Sequence, residues 1–187
     1  MKNQDKIYYA GLVDGEGYIY IFNSVLKRSK KYLKGGVKIS MVDDAGLLSK
    51  AKELWGGHLY DKKARSEKHR ATKEWIIENK HAEKFLRDIL PYLKLKKQQA
   101  EILIEFRKFV SKNNMVTENI EKYRNLLYEG LKGLHHSIPF TIDKALRRKA
   151  IYEKRFSKWH ISEEHRQKLS ISHKGLVTKG MFKKGHI

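Results

Sequence analysis

The stretch Tyr9-Ala10-Gly11-Leu12-Val13-Asp14-Gly15-Glu16-Gly17 decides how the rest of the chain is read. Ile7 to Val13 is apolar and compatible with a helix, for which Asn3 or Asp5 is a candidate cap. Gly15 and Gly17 are expected to stop it. Tyr18-Ile19-Tyr20-Ile21-Phe22 then reads as a strand, being β-branched and aromatic throughout. Asp14 and Glu16 therefore fall at a helix C-terminus, where the macrodipole favours cations by a few tenths to about 1 kcal/mol. A hard divalent cation would resolve that conflict, because Mg²⁺ takes one or two carboxylates and fills its other positions with water and phosphate oxygens. Gly15 and Gly17 allow the backbone to approach another chain or a phosphate closely. The plainer alternative is a core helix that ends in a glycine-rich turn with two solvated acids.

Working outward, the basic run Lys27 to Lys34 is closed by Gly35-Gly36, and Val37 to Met41 returns as the second strand of a hairpin. Asp43 or Asp44 can cap the next helix, in which Leu47, Leu48, Ala51, Leu54 and Trp55 share one face before Gly56-Gly57 ends it. A second hairpin joins His58-Leu59-Tyr60 to Thr72–Glu78 across a charged tip. Helices follow around Ala82 to Leu90 and Leu95 to Val110, divided at Pro91. The order predicts an α+β unit, αββαββα, built on one antiparallel sheet with helices against one face. Val116 to Leu134 predicts a further amphipathic helix whose Ile120, Tyr123, Leu127 and Leu131 face inward. A hinge at His135 to Pro139 divides this core, residues 1–135, from a basic C-terminal arm, residues 136–187. From Lys144 onward, 13 Lys/Arg face 3 Asp/Glu, so half of the net charge lies in a segment that can bury little core and is expected to order on its partner.

Over the 187 residues, Lys+Arg outnumber Asp+Glu by 41 to 21, a net charge of +20 that points to a polyanionic partner, with nucleic acid first. No apolar run reaches membrane-spanning length, and Met1 to Asp5 lacks the apolar segment of a signal peptide. There is no cysteine, so disulfides and thiolate zinc sites are excluded. The nine histidines show no pair at zinc-ligand spacing with a third partner. These features set the expectation of an intracellular, non-secreted protein without a membrane partner. The preference for lysine over arginine fits an AT-rich genome such as that of a phage or an organelle.

Tyr9 to Gly17 resembles the LAGLIDADG motif, and the element order resembles the core of the LAGLIDADG homing endonucleases over roughly residues 5 to 112. The resemblance implies a metal-dependent DNA endonuclease. Glu16, at the eighth motif position, would be the metal-binding acid, with Gly15 beside it, and Asp14 would shape the helix end. Pro91 to Ala100 resembles a segment of the single-motif members whose second lysine lies near the scissile phosphate, here Lys96. Asp43 matches a position where relatives organise solvent around the metals, but it is an acid instead of an amide and can equally be a helix cap. Leu47-Leu48-Ser49 occupy the neighbourhood where some relatives carry an arginine. Only one motif copy is present, so the resemblance implies a homodimer paired through Tyr9, Ala10, Gly11, Val13 and Asp14, with Mg²⁺ (or Mn²⁺) as cofactor.

If the sheet face away from the helices lies on duplex DNA, alternation places Tyr18, Tyr20, Phe22 and Ser24 on that face, with Lys38 and Ser40 from the return strand. Ile19, Ile21, Val37, Ile39 and Met41 then fall on the core face. The three aromatics can instead stack among themselves. The tips would add Lys27, Arg28 and Lys30, and Arg65, Lys68 and Arg70. Ser162 to Gly175 resembles a NUMOD3-type DNA-binding element, offering Arg166, Lys168, His173 and Lys174, with Lys183 in the extended basic run beyond. Two other functions fit the same fold: a maturase binding its own intron RNA, and a catalytically silent DNA-binding regulator.

Overall fold

The computed structural model describes residues 3–25, 31–42, 45–64, 66, 70–110 and 117–156. In chain order these residues form α1 (Asn3–Glu16), β1 (Gly17–Val25), β2 (Lys31–Met41), α2 (Leu47–Trp55), β3 (His58–Lys62), β4 (Thr72–Glu78), α3 (Asn79–Ile89), a 3-10 turn (Leu90–Tyr92), α4 (Lys97–Lys108), α5 (Glu118–Leu134) and α6 (Lys144–Phe156). The strands make one antiparallel sheet in the order β1-β2-β4-β3. The αββαββα order expected from the sequence is thus the observed one.

Alternation along the strands sends Ile19, Ile21, Leu33, Val37, Ile39, Trp75 and Ile77 into the core beneath the helices. The opposite face stays open, with Tyr18, Phe22 and Tyr60 exposed. An aromatic cluster ties the first helices to the sheet: Tyr9 meets Trp55 edge-on at 5.0 Å, and Phe85 meets Trp55 at 4.9 Å and Trp75 at 5.1 Å. Their polar atoms are satisfied. Tyr9 Oη donates to the Leu47 carbonyl at 2.7 Å, Trp55 Nε1 to Asp88 at 3.0 Å and Trp75 Nε1 to the Gly56 carbonyl at 2.9 Å. Such rings bring their full apolar area inside without stranding a donor.

Three local expectations are corrected. Gly35-Gly36 is not a turn but lies within β2, paired with Ile21 and Tyr20. A Cβ on Gly35 would come within 2.3 Å of Leu103 Cδ1, and one on Gly36 within 2.7 Å of both the Ile77 carbonyl and Tyr20 Oη. These glycines give room for close approach. Secondly, α1 runs through Gly15 to Glu16, and the chain passes into β1 at Gly17, where a Cβ would lie 2.7 Å from the Val13 carbonyl. Thirdly, the N-cap position of α2 is Gly46 in the left-handed conformation (φ 80°), one residue before Leu47, while the candidate caps Asp43 and Asp44 lie outside the described residues.

Packing also continues beyond His135. Gln98 donates to the Phe140 carbonyl at 2.8 Å, and the Phe140 ring lies where a Gly130 Cβ would project. The sequence assigns no core role to residues after Lys144, yet α6 packs on α5 with Ala150 buried. The buried Glu105 of α4 explains this docking. It accepts from Arg147 Nε at 2.6 Å, Lys108 Nζ at 2.6 Å and Tyr123 Oη at 3.2 Å, joining three helices. Burial pushes the Glu105 carboxyl up, but its bonds from Arg147 and Lys108 outweigh that and hold it below the usual value. Thr117 and Asn119 likewise donate to Glu153 of α6.

Candidate active site and nucleic-acid interface

The acids at the end of α1 have separate fates. Asp14 turns toward the segment leading into α4, where its carboxylate accepts the backbone N–H groups of Lys94 at 2.7 Å, Leu95 at 3.2 Å and Lys96 at 2.9 Å. It therefore acts as an anion at the start of a helix, where free N–H groups and the dipole favour it. Lys96 returns the interaction: its Nζ donates to the carbonyls of Val13 at 2.9 Å and Gly15 at 3.3 Å, the last turn of α1. A cation on terminal carbonyls relieves the opposite pole. Burial pushes the Lys96 ammonium down, and the Asp14 and Glu16 charges only partly restore it. Glu16 stays exposed as the last residue of α1, immediately before β1.

Asp14 and Lys96 are 82 residues apart, and only the fold reveals that each caps the other's helix. The Gly15 carbonyl, expected beside a metal, is in the structure an acceptor for Lys96. Among the described residues, no three His, Cys, Asp or Glu side chains gather as a metal site. The donor set of one chain is one exposed carboxylate with a neighbouring backbone carbonyl. That fits a hard cation able to draw its remaining ligands from water, phosphate and a second carboxylate.

The expected dimer face is corrected in part. Tyr9, Ala10 and Val13 are buried in the chain's own core, so they are not surface that a second copy could meet. Gly11 is exposed and Asp14 half-buried. The outward stripe of α1 is instead Ile7 and Tyr8, each 53% exposed, with Gly11 and Gly15, where an added Cβ would meet nothing within 4 Å. Helical spacing of three to four residues places these on one side. A shift of one or two residues along the same motif separates the core face from the open one.

On the open sheet face, Tyr18 and Tyr20 stack with centroids 5.8 Å apart, and Phe22 follows at 5.6 Å from Tyr20. Lys38 and Ser40 lie on this face as alternation requires, but both engage an acid that the sequence reading passed over. Glu74, only 4% exposed, accepts from Ser40 Oγ at 2.9 Å and Lys62 Nζ at 2.8 Å, with Lys38 Nζ at 3.5 Å. Burial pushes its carboxyl up, while Lys62, Ser40 and Lys38 together hold it below the ordinary value. Glu78 accepts from Tyr20 Oη at 3.2 Å and sits 3.7 Å from Lys34 Nζ. Burial, with Glu78 beside it, raises the Tyr20 phenol well above its usual range. The face is thus a polar lattice of fixed lysines and carboxylates. Alternation through Glu74-Trp75-Ile76-Ile77-Glu78 was the signal that could have shown both acids.

His135 is the other residue missed. At the end of α5 it reaches β1, its Nε2 within 2.9 Å of the Ile19 carbonyl and its ring 4.7 Å from that of Tyr18. The carbonyl can only accept, so Nε2 carries the proton. Burial lowers the His135 pKa more than the carbonyl raises it, and His136 and Lys96 add to the lowering. Arg70 lies exposed at the β3–β4 connection. Lys27, Arg28, Lys30, Asp43, Arg65, Lys68, Arg166, Lys168, His173, Lys174 and Lys183 lie outside the described residues, as does the side chain of Ser24.

No protein-family model matches the chain, and no curated protein matches it in sequence. Solved structures do match. The homing endonuclease I-CvuI in complex with its target in the presence of Ca aligns with a TM-score of 0.58 and 17% identity, covering 78% of this chain and 92% of that one. The archaeal intron-encoded homing endonuclease I-Vdi141I, complexed with DNA, gives a TM-score of 0.59 at 17% identity, over 87% of this chain and 100% of that one. The LAGLIDADG homing endonuclease I-SmaMI, bound to cleaved DNA, gives 0.54 at 13% identity, over 67% and 43%. The fold of this chain is that of the LAGLIDADG homing endonucleases.

Proposed function

We propose that this chain is a site-specific homing endonuclease, intron-encoded, that cuts both strands of duplex DNA as a homodimer with a divalent metal, Mg²⁺ or Mn²⁺. The observation that carries the reading is the division of labour at the end of α1. Asp14 is occupied with three backbone donors, while Glu16 is exposed at the junction of α1 and β1, where its charge acts on the Lys96 ammonium. The structural neighbours bound to DNA support the same assignment.

In this reading the duplex lies on the open face, with Tyr18, Tyr20, Phe22, Lys38 and Ser40 toward the major groove. Glu16 would hold the cation through its carboxylate, which when bound would polarise the scissile phosphate and supply a nucleophile from its water. Lys96 adds positive charge where the phosphate becomes more anionic in the transition state. One chain presents one such carboxylate, so cutting two strands requires two copies, which the Ile7, Tyr8, Gly11 and Gly15 stripe would bring together. The basic arm, with Arg166, Lys168, His173, Lys174 and Lys183, would contact flanking DNA.

The test is linearisation of a plasmid carrying the joined sequences that flank the gene, by purified protein with Mg²⁺. Glu16→Gln should abolish cleavage while leaving binding to the same duplex. Binding without cleavage by the parent protein, unchanged by Glu16→Gln, would leave a DNA-binding regulator as the function.

A further inference from the structure

Away from the end of α1, a cavity of about 690 Å³ opens where β4 ends and α3 begins, lined among others by Lys34, His58, Glu78, Lys80, His81 and Arg107. Its charge is one-sided. Lys34, Lys80 and Arg107 face a single acid, Glu78, which already accepts from Tyr20 Oη.

The Arg107 Nε is buried and finds no hydrogen-bond acceptor among the described residues. Burial pushes the guanidinium down, and only the charge of Glu83 opposes this. That glutamate is itself engaged, since its Oε1 accepts from Arg87 Nε at 3.1 Å and from Nη2 at 2.9 Å. A charged donor held in this way, without an acceptor, is costly unless an anion completes it. A neighbouring cation compounds the imbalance. Lys80 sits in the first turn of α3, which contains no acid, and the N-cap residue Glu78 makes no side-chain capping bond, so Lys80 adds positive charge to the positive pole of the helix while His81 beside it offers a ring N–H.

We propose that this cavity binds a phosphate group, with the Arg107 guanidinium, Lys80 and His81 as its principal contacts. An oxyanion there would neutralise three unfavourable features at once, and a planar guanidinium suits two phosphate oxygens. His58 and Glu78 line both this cavity and the open sheet face, so a duplex on that face would bring backbone phosphates to it. A free phosphate has the same chemistry. The site stands whether or not the chain cuts DNA.

The experiment is a titration of ¹⁵N-labelled protein at low ionic strength, first with inorganic phosphate and separately with a non-cognate duplex. Phosphate should shift the amides of Asn79, Lys80 and His81 in a saturable way. Arg107→Met, which keeps the apolar stem, should weaken that response at least fivefold while the rest of the spectrum remains folded. Lys80→Ala, at an exposed position, should weaken it without any effect on folding. If the duplex moves the same amides and Arg107→Met reduces its affinity, backbone phosphate is the ligand. If inorganic phosphate alone moves them, free phosphate is. No shift from either, or shifts that survive both substitutions, would overturn the proposal. Loss of plasmid cleavage by Glu16→Gln has no bearing on this result, so the two readings fail separately.

Discussion

Replacing Asp14 by alanine removes the acceptor for the N–H groups of Lys94, Leu95 and Lys96 and leaves Lys96 alone to hold the α1–α4 junction. The size of the effect follows from three opposing contributions. Loss of a capping acceptor costs about 0.5–2 kcal/mol, and loss of an anion from the positive pole of a helix about 0.3–1 kcal/mol. Against these, Asp14 lies in the last turn of α1, where its removal relieves a repulsion of similar size, about 0.3–1 kcal/mol. The two dipole contributions nearly cancel, so the hydrogen bonds decide the sign. Asp14→Ala should destabilise by about 0.5–2 kcal/mol, or roughly 1–8 °C in Tm at about 2–4 °C per kcal/mol for a chain of this length. Asp14→Asn keeps a neutral acceptor and should lose about half as much. Urea denaturation gives the energies, and amide exchange locates them: protection should fall at residues 94–96. Glu16→Ala is the control, since an exposed side chain outside this network should stay within about 0.5 kcal/mol of the parent. If Glu16→Ala costs as much as Asp14→Ala, or if exchange at 94–96 is unchanged, the assignment of separate roles to the two acids is wrong.

Two other perturbations probe neighbouring parts of the structure. Gly11→Ala adds a methyl group into open space on an α-helix, so the chain itself should gain about 0.5–1 kcal/mol. If two copies pair through that stripe, sedimentation should show weaker self-association of the same variant; unchanged association would remove Gly11 from the interface. His135→Phe tests the contact between α5 and β1 through pH. The folded-state pKa of His135 lies below the ordinary 6.5, so the unfolded chain binds the proton more tightly. Its contribution is therefore fully present above about 6.5 and lost as pH falls through the lower folded value. The stability advantage of the parent over His135→Phe should narrow between pH 7 and 5. An advantage that is constant or grows on acidification would contradict a folded-state pKa lowered by burial.

Periodicity made the skeleton legible because it reports only on the faces of a single element. The alternation Tyr18-Ile19-Tyr20-Ile21-Phe22 separated the open face from the core, and the spacing of Ile120, Tyr123, Leu127 and Leu131 identified the buried side of α5. Features set by distant partners were not legible. Gly35-Gly36 has the composition of a turn, but Leu103 and Tyr20 require those glycines inside a strand. The docking of α6 depends on Arg147 reaching Glu105, 42 residues earlier, in a segment whose apolar content alone predicts no core. On α1, the motif suggested a partner-facing helix, but a helix of this length has two apolar sides. The chain uses Tyr9, Ala10 and Val13 for its own core and leaves Ile7, Tyr8, Gly11 and Gly15 outside.

That partition explains why two acids two residues apart take different roles. In a helix they differ by about 200° around the axis, so they cannot face the same neighbour. Asp14 meets the start of α4, and Glu16 is exposed where the chain becomes β1. Because Lys96 donates to the carbonyls ending α1 and Asp14 accepts from the segment entering α4, the junction is held by bonds that do not involve Glu16, whose charge acts on Lys96 only through space. A carboxylate with no structural bond to lose is the one that can change ligands during a reaction at little cost to the fold. Glu16 meets that condition and Asp14 does not, so substitution of Glu16 should separate activity from stability, whereas substitution of Asp14 should impair both.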